Sequence, residues 1–453
     1  MKKSLFALSL ALLGALNNAV AQIWDIRDAD FPNAVFSSEP RAANDSVAWV
    51  FGFAVDTAGY FTYSDYSFSR TTDGGQTWVN GNFPHSEPGY FGNIAPLGEQ
   101  VAWLSYEDPA NGSKVLKTVD GGQTWEPQNA GITTWVNFVH FFNGTVGVAM
   151  GDPDFMGFQI FKTLDGGSIW ERISAANVPA MEPGEYGYSA GFEAEGNRIW
   201  FYTNHGRVYH SDDLGSTWGV WDDPGLVNIW DIEADEAGNC YVMFNDFSDT
   251  ITFVPQFSLF RRSALDSAWI DLTPPDNDLV LQSIASIPGT DVLMATFRNS
   301  FTLGPFYTRL SYDHGTSWQT ISTGDKAGYL NFWDADTGYA TEMKISTATD
   351  PTKIFRYTGS PITGLFERKP LNINLAVSPN PASDFVKIDW SAPVPGDFWV
   401  LLNDAQGRLI DHKTINQTAQ GNAQFELTNL PAGIYTLTVS SEKGCLTKKF
   451  VKQ

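Results

Sequence analysis

The sequence predicts an all-β protein: a closed, seven-bladed β-propeller, with six blades as the alternative, followed by a small Ig-like β-sandwich. Three observations predict it. Aromatic residues reach 14%, with 41 Gly and 24 Pro, a composition suited to short strands and tight turns, and amphipathic helical spacing is hard to find. A box of the form (S/T)-x-D-x-G-x-(S/T)-W recurs with Trp at 78, 125, 170, 218 and 318, and a decayed copy ends at Trp269. The Trp spacings are 47, 45, 48, 51 and 49, the length of a four-stranded propeller blade.

The chain opens with Lys2 and Lys3, an apolar run from Leu5 to Leu16, and a small-residue site ending at Ala21. Residues 1–21 therefore read as a secretory signal peptide. No later apolar run approaches membrane-spanning length. Cys240 and Cys445 are too few and too far apart for a disulfide framework, and two unpaired thiols are expected. Charge is unevenly spread. Between Gln22 and Lys369 lie 44 acidic and 19 basic residues, whereas the stretch from Leu371 onward is balanced at seven of each. That field argues against nucleic acid and anionic lipid as partners. It suits neutral glycans, cations or basic proteins.

Within each box, residue chemistry points to a fastened hairpin. The Asp carboxylate can accept N–H bonds from its own turn. Gly supplies a positive φ, and the Trp ring can bury itself against the next repeat. The carriers are Asp73, Gly75, Trp78; Asp120, Gly122, Trp125; Asp165, Gly167, Trp170; Asp213, Gly215, Trp218; and Asp313, Gly315, Trp318. Two β-type stretches precede each box, as in "VAWLSY" and "KVLKT". After Trp318, "GYATEM" and "KIFRYTG" supply a seventh pair with no box, and "IWDIRD" at Ile23–Asp28 resembles the strand after a box. If that strand completes the last blade, the ring closes and exposed strand edges disappear.

These boxes resemble Asp-box (BNR) repeats over most of residues 23–358. Such repeats occur in sialidases, xyloglucan-active glycoside hydrolases, sortilin-type receptors and Ycf48-like assembly factors. The resemblance implies that the box lies at the blade periphery, away from the active face. The repeats give way at residue 358, and a linker is expected over 359–371. Residues 372–453 then read as alternating strands and turns. "SPNPASD" at Ser378–Asp384, "AGIYTLTV" and the basic "KKFVK" resemble the type A C-terminal sorting domain of the Bacteroidetes type IX secretion system. That resemblance implies secretion-machinery partners, passage through the periplasm, and release outside the cell or attachment to surface lipopolysaccharide.

In an up-and-down blade the boxes share one face, and the loops joining strands two and three share the other with the inter-blade loops. The candidate ligand residues on that second face are Tyr106, Glu107, Trp135, His140, Asp152, Asp154, Glu185, Tyr186, Tyr188 and His205. Aromatic rings beside carboxylates suit a sugar-binding lining. A sialidase is disfavoured, because only Arg27 and Arg41 precede the first box and the Arg-Ile-Pro motif is absent. The closest texture is that of Ycf48-like propellers, whose resemblance implies binding and not catalysis. No cofactor is expected. The pairs Asp152/Asp154, Asp276/Asp278 and Asp334/Asp336 offer oxygen ligands for Ca²⁺ but follow no EF-hand spacing. The expected protein is a secreted or cell-surface, non-catalytic propeller that binds a glycan or protein. The alternative is a glycoside hydrolase with two carboxylates about 5–10 Å apart on the loop face.

Overall fold

The computed structural model describes residues 23–453 except 30, 32–34, 56–60, 84–89, 109–111, 129, 223–228, 247–255, 264–265, 267, 275–278, 300–305, 343–351, 361, 363–372, 404–408, 429 and 442–443. The expected signal peptide, most of the linker, and parts of the 106–113, 245–256 and 298–305 loops fall outside these residues. The described strands form seven antiparallel sheets of the blade type and one further sheet toward the C-terminus.

The inner strands of blades 1 to 7 are Arg41–Ala42 (with Val35–Ser37), Tyr90–Pro96, Val136–Phe141, Gly187–Glu195, Ile229–Ala234, Leu279–Ser286 and Ala327–Phe332. Three further strands run outward from each in sequence order, except in blade 7. There the outermost strand is Trp24–Asp28, paired antiparallel with Lys353–Tyr357 in the register Trp24↔Tyr357. The start of the fold thus completes its last blade, as the sequence predicts. Trp24 is fully buried against Phe332, Phe355 and Tyr357, so closure is secured by packing as well as by the ladder.

The cores lie between blades. One cluster joins blades 1 and 2 through Trp49, Phe68, Phe83, Leu104 and Trp125. Another joins blades 2 and 3 through Trp103, Phe141, Ala149 and Trp170. The ring is closed between blades 7 and 1 by Tyr339, Ile354, Ala48 and Trp78. Trp103 stacks on Phe141 at 3.5 Å, and Trp200 is 1% exposed. Truncating such a side chain to Ala typically costs about 3–5 kcal/mol.

The C-terminal strands pair as one five-stranded sheet, compatible with the small β-sandwich that the sequence predicts. Its long strands, Phe385–Asn403 and Leu409–Glu426, shift register between Ser391 and Phe398. Val386, Ile388, Trp390, Val400, Leu402 and Phe425 belong to its single core. The "SPNPASD" opening clamps the chain end. Val451 N–H donates to Asn380 Oδ1 at 3.0 Å, and Gln453 N–H donates to the Ala382 carbonyl at 2.9 Å. Cys240 is free and buried.

Candidate functional site

Because strands alternate in direction, the boxes occupy one face of the ring and the channel mouth opens on the other. Each box follows one bonding scheme. In blade 1, Thr71 Oγ1 donates to Asp73 Oδ1 at 2.8 Å and accepts from Gly75 N–H at 2.8 Å. Thr77 donates its N–H to Oδ1 at 2.9 Å and its hydroxyl to Oδ2 at 2.6 Å. The scheme repeats at Asp120, Asp213 and Asp313. At Asp165 the hydroxyl bond is missing, because Ile169 offers only its N–H. Bonds from the Thr124 hydroxyl and N–H hold the Asp120 carboxyl down at about 2. Gly122 has φ +87°, and a Cβ there would lie 2.3 Å from Phe68 Cζ of the preceding blade. The box thus fastens its own turn and lets that turn approach the neighbouring blade.

The channel is built by register. Across the first two strands of each blade, the pairs are Arg41↔Trp49, Ala95↔Trp103, His140↔Val148, Glu193↔Trp200, Glu233↔Tyr241, Ala285↔Met294 and Asn331↔Tyr339. The first member of each pair stands at one height around the axis. Arg41 Nη1 bonds Glu193 Oε2 at 3.1 Å, and Nη2 bonds Glu39 Oε2 at 3.1 Å. Blades 1 and 4 are not neighbours, so this guanidinium crosses the channel. Asn331 Nδ2 donates to Glu39 Oε1 at 3.4 Å and its Oδ1 accepts from Ala42 N–H, while Glu233 Oε1 accepts from Ser286 N–H at 2.8 Å. Burial pushes Glu39 up to about 8 and Asp231 up to about 7, and it drives Glu233 well up. Burial and the Arg41 charge push the His140 imidazole down to about 3. The Arg41, Glu39 and Glu193 side chains keep 14–24% of their surface exposed to the lumen.

Above this ring, the inner strands of blades 2 to 7 all bulge. Register slips between Phe91 and Ile94, Val136 and Phe138, Gly187 and Phe192, Ile229 and Asp231, Leu281 and Ser283, and Ala327 and Leu330. A bulge re-aims a side chain that alternation would otherwise bury or hide. In blade 4 the four residues 188–191 stand opposite Tyr202 alone, and Ala190 takes φ +57°. In blade 5 the extra residue is Trp230, which is 47% exposed.

These bulges assemble an aromatic row. Tyr186 is 45% exposed and meets Tyr188 edge-on at 5.8 Å; Tyr188 lies 5.3 Å from Tyr202, whose hydroxyl donates to the Trp230 carbonyl at 3.2 Å. Trp135 Nε1 donates to Ser189 Oγ on the bulge at 2.7 Å. Beside them, Asp152 Oδ1 accepts from Asn137 Nδ2 at 2.7 Å and Gly187 N–H at 3.3 Å. Its Oδ2 accepts no hydrogen bond among the described residues, and burial raises this carboxyl. Glu107 sits on the adjoining rim, bonded by Ser113 Oγ, which also contacts the Thr134 carbonyl.

Five of the ten candidate residues therefore gather at the mouth: Glu107, Trp135, Asp152, Tyr186 and Tyr188. The other five go elsewhere. Tyr106 is fully buried in the core between blades 1 and 2. Glu185 is 3% exposed and is tied to Arg207 at 2.7 Å and Thr203 at 2.7 Å, so it anchors its own loop. Asp154 is occupied by Arg172 at 2.7 Å, and His205 faces Glu182 at 2.9 Å. His140 belongs to the deeper ring. Asp334 caps its own turn through Thr337 N–H at 2.7 Å, and Asp276/Asp278 lie outside the described residues. Among the described residues, no group of three or more His, Cys, Asp or Glu is placed to hold a metal. Sequence reasoning missed Tyr202, Trp230 and the channel acids. The available signal was acids set among apolar residues in first strands, as in "GFEAE" and "WDIEA".

Taken together, fold and boxes define an Asp-box propeller followed by a separate C-terminal β module. Residues 376–453 match the secretion system C-terminal sorting domain family, and residues 109–252 match the photosynthesis system II assembly factor YCF48 family. Two solved structures share the propeller fold. "YCF48 bound to D1 peptide" is 15% identical with a TM-score of 0.52, covering 76% of this chain and 97% of that one. YCF48 from Cyanidioschyzon merolae is 13% identical with a TM-score of 0.52, covering 74% and 99%. No curated protein sequence matches the chain. The chain thus joins a Ycf48-like Asp-box propeller to a type IX secretion sorting domain, which implies export toward the cell surface or outer membrane. Among the described residues, no helix is long and apolar enough to cross a membrane.

Proposed function

We propose that this chain is a secreted or surface-held binding protein, and that its propeller takes an extended glycan or protein segment across the channel mouth over blades 3 to 5 without transforming it. The observation that carries this reading is the ring series Tyr186–Tyr188–Tyr202, which reaches Trp230 through its carbonyl, with Tyr186 and Trp230 45% and 47% exposed. Rings exposed at a mouth can stack on sugar faces or on apolar side chains. The channel floor supports binding over chemistry. Glu39 and Glu193 share one guanidinium, which ties them up as partners of a strut. A related propeller, YCF48, was solved with a D1 peptide bound, which supports a peptide as one kind of occupant. The sorting domain supports delivery by the type IX system, with release or lipopolysaccharide attachment afterwards.

Glycan and peptide arrays probed with the purified full-length chain test this reading. Hits should weaken in Trp230→Ala and Tyr186→Ala. Hits indifferent to both substitutions would remove the mouth as the site. Hydrolysis of a bound glycan, abolished by Asp152→Asn, would replace binding with two-carboxylate glycosidase chemistry.

A further inference from the structure

The channel below the aromatic row is short of cations. Four carboxyl groups, Glu39, Glu193, Asp231 and Glu233, surround one guanidinium, Arg41, which already bonds two of them. Asp231 follows Trp230 directly, so the bulge that exposes Trp230 is joined in the chain to a carboxyl that feels the Arg41 and Glu193 charges. Tyr202 and Tyr329 stand close enough to Asp231 to feel its charge, and Tyr329 also feels Glu39. From the mouth inward the layers are exposed rings, phenols, then carboxyls. Ring faces attract cations, and carboxyls beyond them complete the attraction. The propeller as a whole, Gln22–Lys369, carries 44 acidic against 19 basic residues, a field that draws basic chains toward it and repels acidic ones. Beside the row, Arg207 is already neutralised by Glu185 at 2.7 Å, and the half-buried Arg298 belongs to blade 6, outside the row.

Resting on the reading of the mouth as a binding site, we propose that its occupant is an extended basic protein segment, one of whose Lys or Arg side chains passes between Tyr186, Tyr188 and Trp230 toward Asp231 and Glu39, and that its arrival expels protons from these carboxyls. The second half follows from the first. Glu39 is held up at about 8 and Asp231 at about 7, chiefly by burial among the neighbouring channel carboxyls. The groups facing them are Arg41, Glu193, Glu233, His140, Tyr202, Tyr329 and the Asn331 amide. His140 is held neutral near pH 7, so Arg41 is the fixed cation of this set. A second cation lowers the carboxyl pKa values, so protons leave and binding tightens as pH rises from about 6 to 8.

The test is isothermal titration of the full-length chain with the peptide acetyl-(Gly-Lys)₄-amide. It is run at pH 7 in two buffers of different ionisation enthalpy and repeated at pH 6 and 8. Expected results are binding with net proton release, affinity rising by up to roughly tenfold per pH unit, and a loss of about fivefold to thirtyfold in Trp230→Ala. Asp231→Asn, its fold checked by thermal melting, should bind more weakly and release fewer protons. Tyr186→Ala, at an exposed position, serves as the second variant should Trp230→Ala melt early. Equal binding of acetyl-(Gly-Gln)₄-amide, or no proton release, overturns the proposal. If the Gln peptide or xylohexaose binds instead and loses affinity in Trp230→Ala, the mouth stands as a site and the cationic occupant falls. If no probe responds to Trp230→Ala or Tyr186→Ala, both readings fall.

Discussion

The two faces of the propeller use carboxylates in opposite ways. On the box face, Asp73 and Asp120 sit near water inside a net of hydroxyl and N–H donors, and their carboxyls are held at about 2. In the channel, Glu39 and Asp231 are buried beside other carboxyls, and burial outweighs the donors they do have, Arg41 and Asn331 for Glu39 and Ile232 N–H for Asp231, so they are pushed up to about 8 and about 7. Donors aimed at an anion stabilise it, and burial beside other anions does the reverse. The same residue type is thus a fastener on one face and a reserve of held protons near the other.

This contrast can be broken first at Arg41. Arg41→Gln leaves the channel carboxyls without their guanidinium. It should cost about 3 kcal/mol at pH 8, and less at pH 5, where the carboxyls carry protons. Chemical denaturation at both pH values reads the difference, and an equal loss at both would mean that the strut acts by packing alone.

The pH profile of stability tests both faces together. Glu39 and Asp231 are raised, so their contribution is fully present below the unfolded carboxyl pKa and is lost as pH rises through 7 to 8. Asp73 and Asp120 are lowered, so theirs is present above the unfolded value and is lost as pH falls toward 2. Melting temperature should peak in mild acid, between about pH 4 and 6. Glu39→Gln should flatten the alkaline limb and spare the acid limb. A peak at pH 8 or above would contradict the channel half of the comparison.

Gly122→Ala should cost about 1–3 kcal/mol, because φ is +87° and the new methyl would meet the Phe68 ring at 2.3 Å. Asp313→Ala removes the acceptor of the Ser311 and Ser317 bonds and should cost about 1–2 kcal/mol. Both are read by urea denaturation, and neither should change binding at the mouth. The smallest effect is expected from Ile169→Thr, which supplies the hydroxyl that blade 3 lacks and should raise the melting temperature slightly.

Legibility in the sequence followed the range of the interactions. Each box closes within seven residues, from Thr71 to Thr77 in blade 1, so its bonds could be inferred from its own letters. Ring closure by Trp24 was legible because its strand repeats a pattern found after other boxes. Tyr106 was misplaced because it lies at the outer end of its strand in the sequence, yet its ring turns into the core between two blades. Glu185 read as a free loop acid because its partner, Arg207, lies 22 residues away on a different strand.

By itself, the sequence determined what depends on short range and repetition: the all-β class, the blade period, the box hairpins and the sorting module. Only the tertiary structure decided which side chains meet at the mouth and in the channel. Arg41 and Glu193 are 152 residues apart and pair because ring closure sets blades 1 and 4 across an axis. Trp230 is exposed because one inserted residue breaks the two-residue alternation of its strand. A local pattern carries no record of either event, since both arise from how separate strands come into register around the axis.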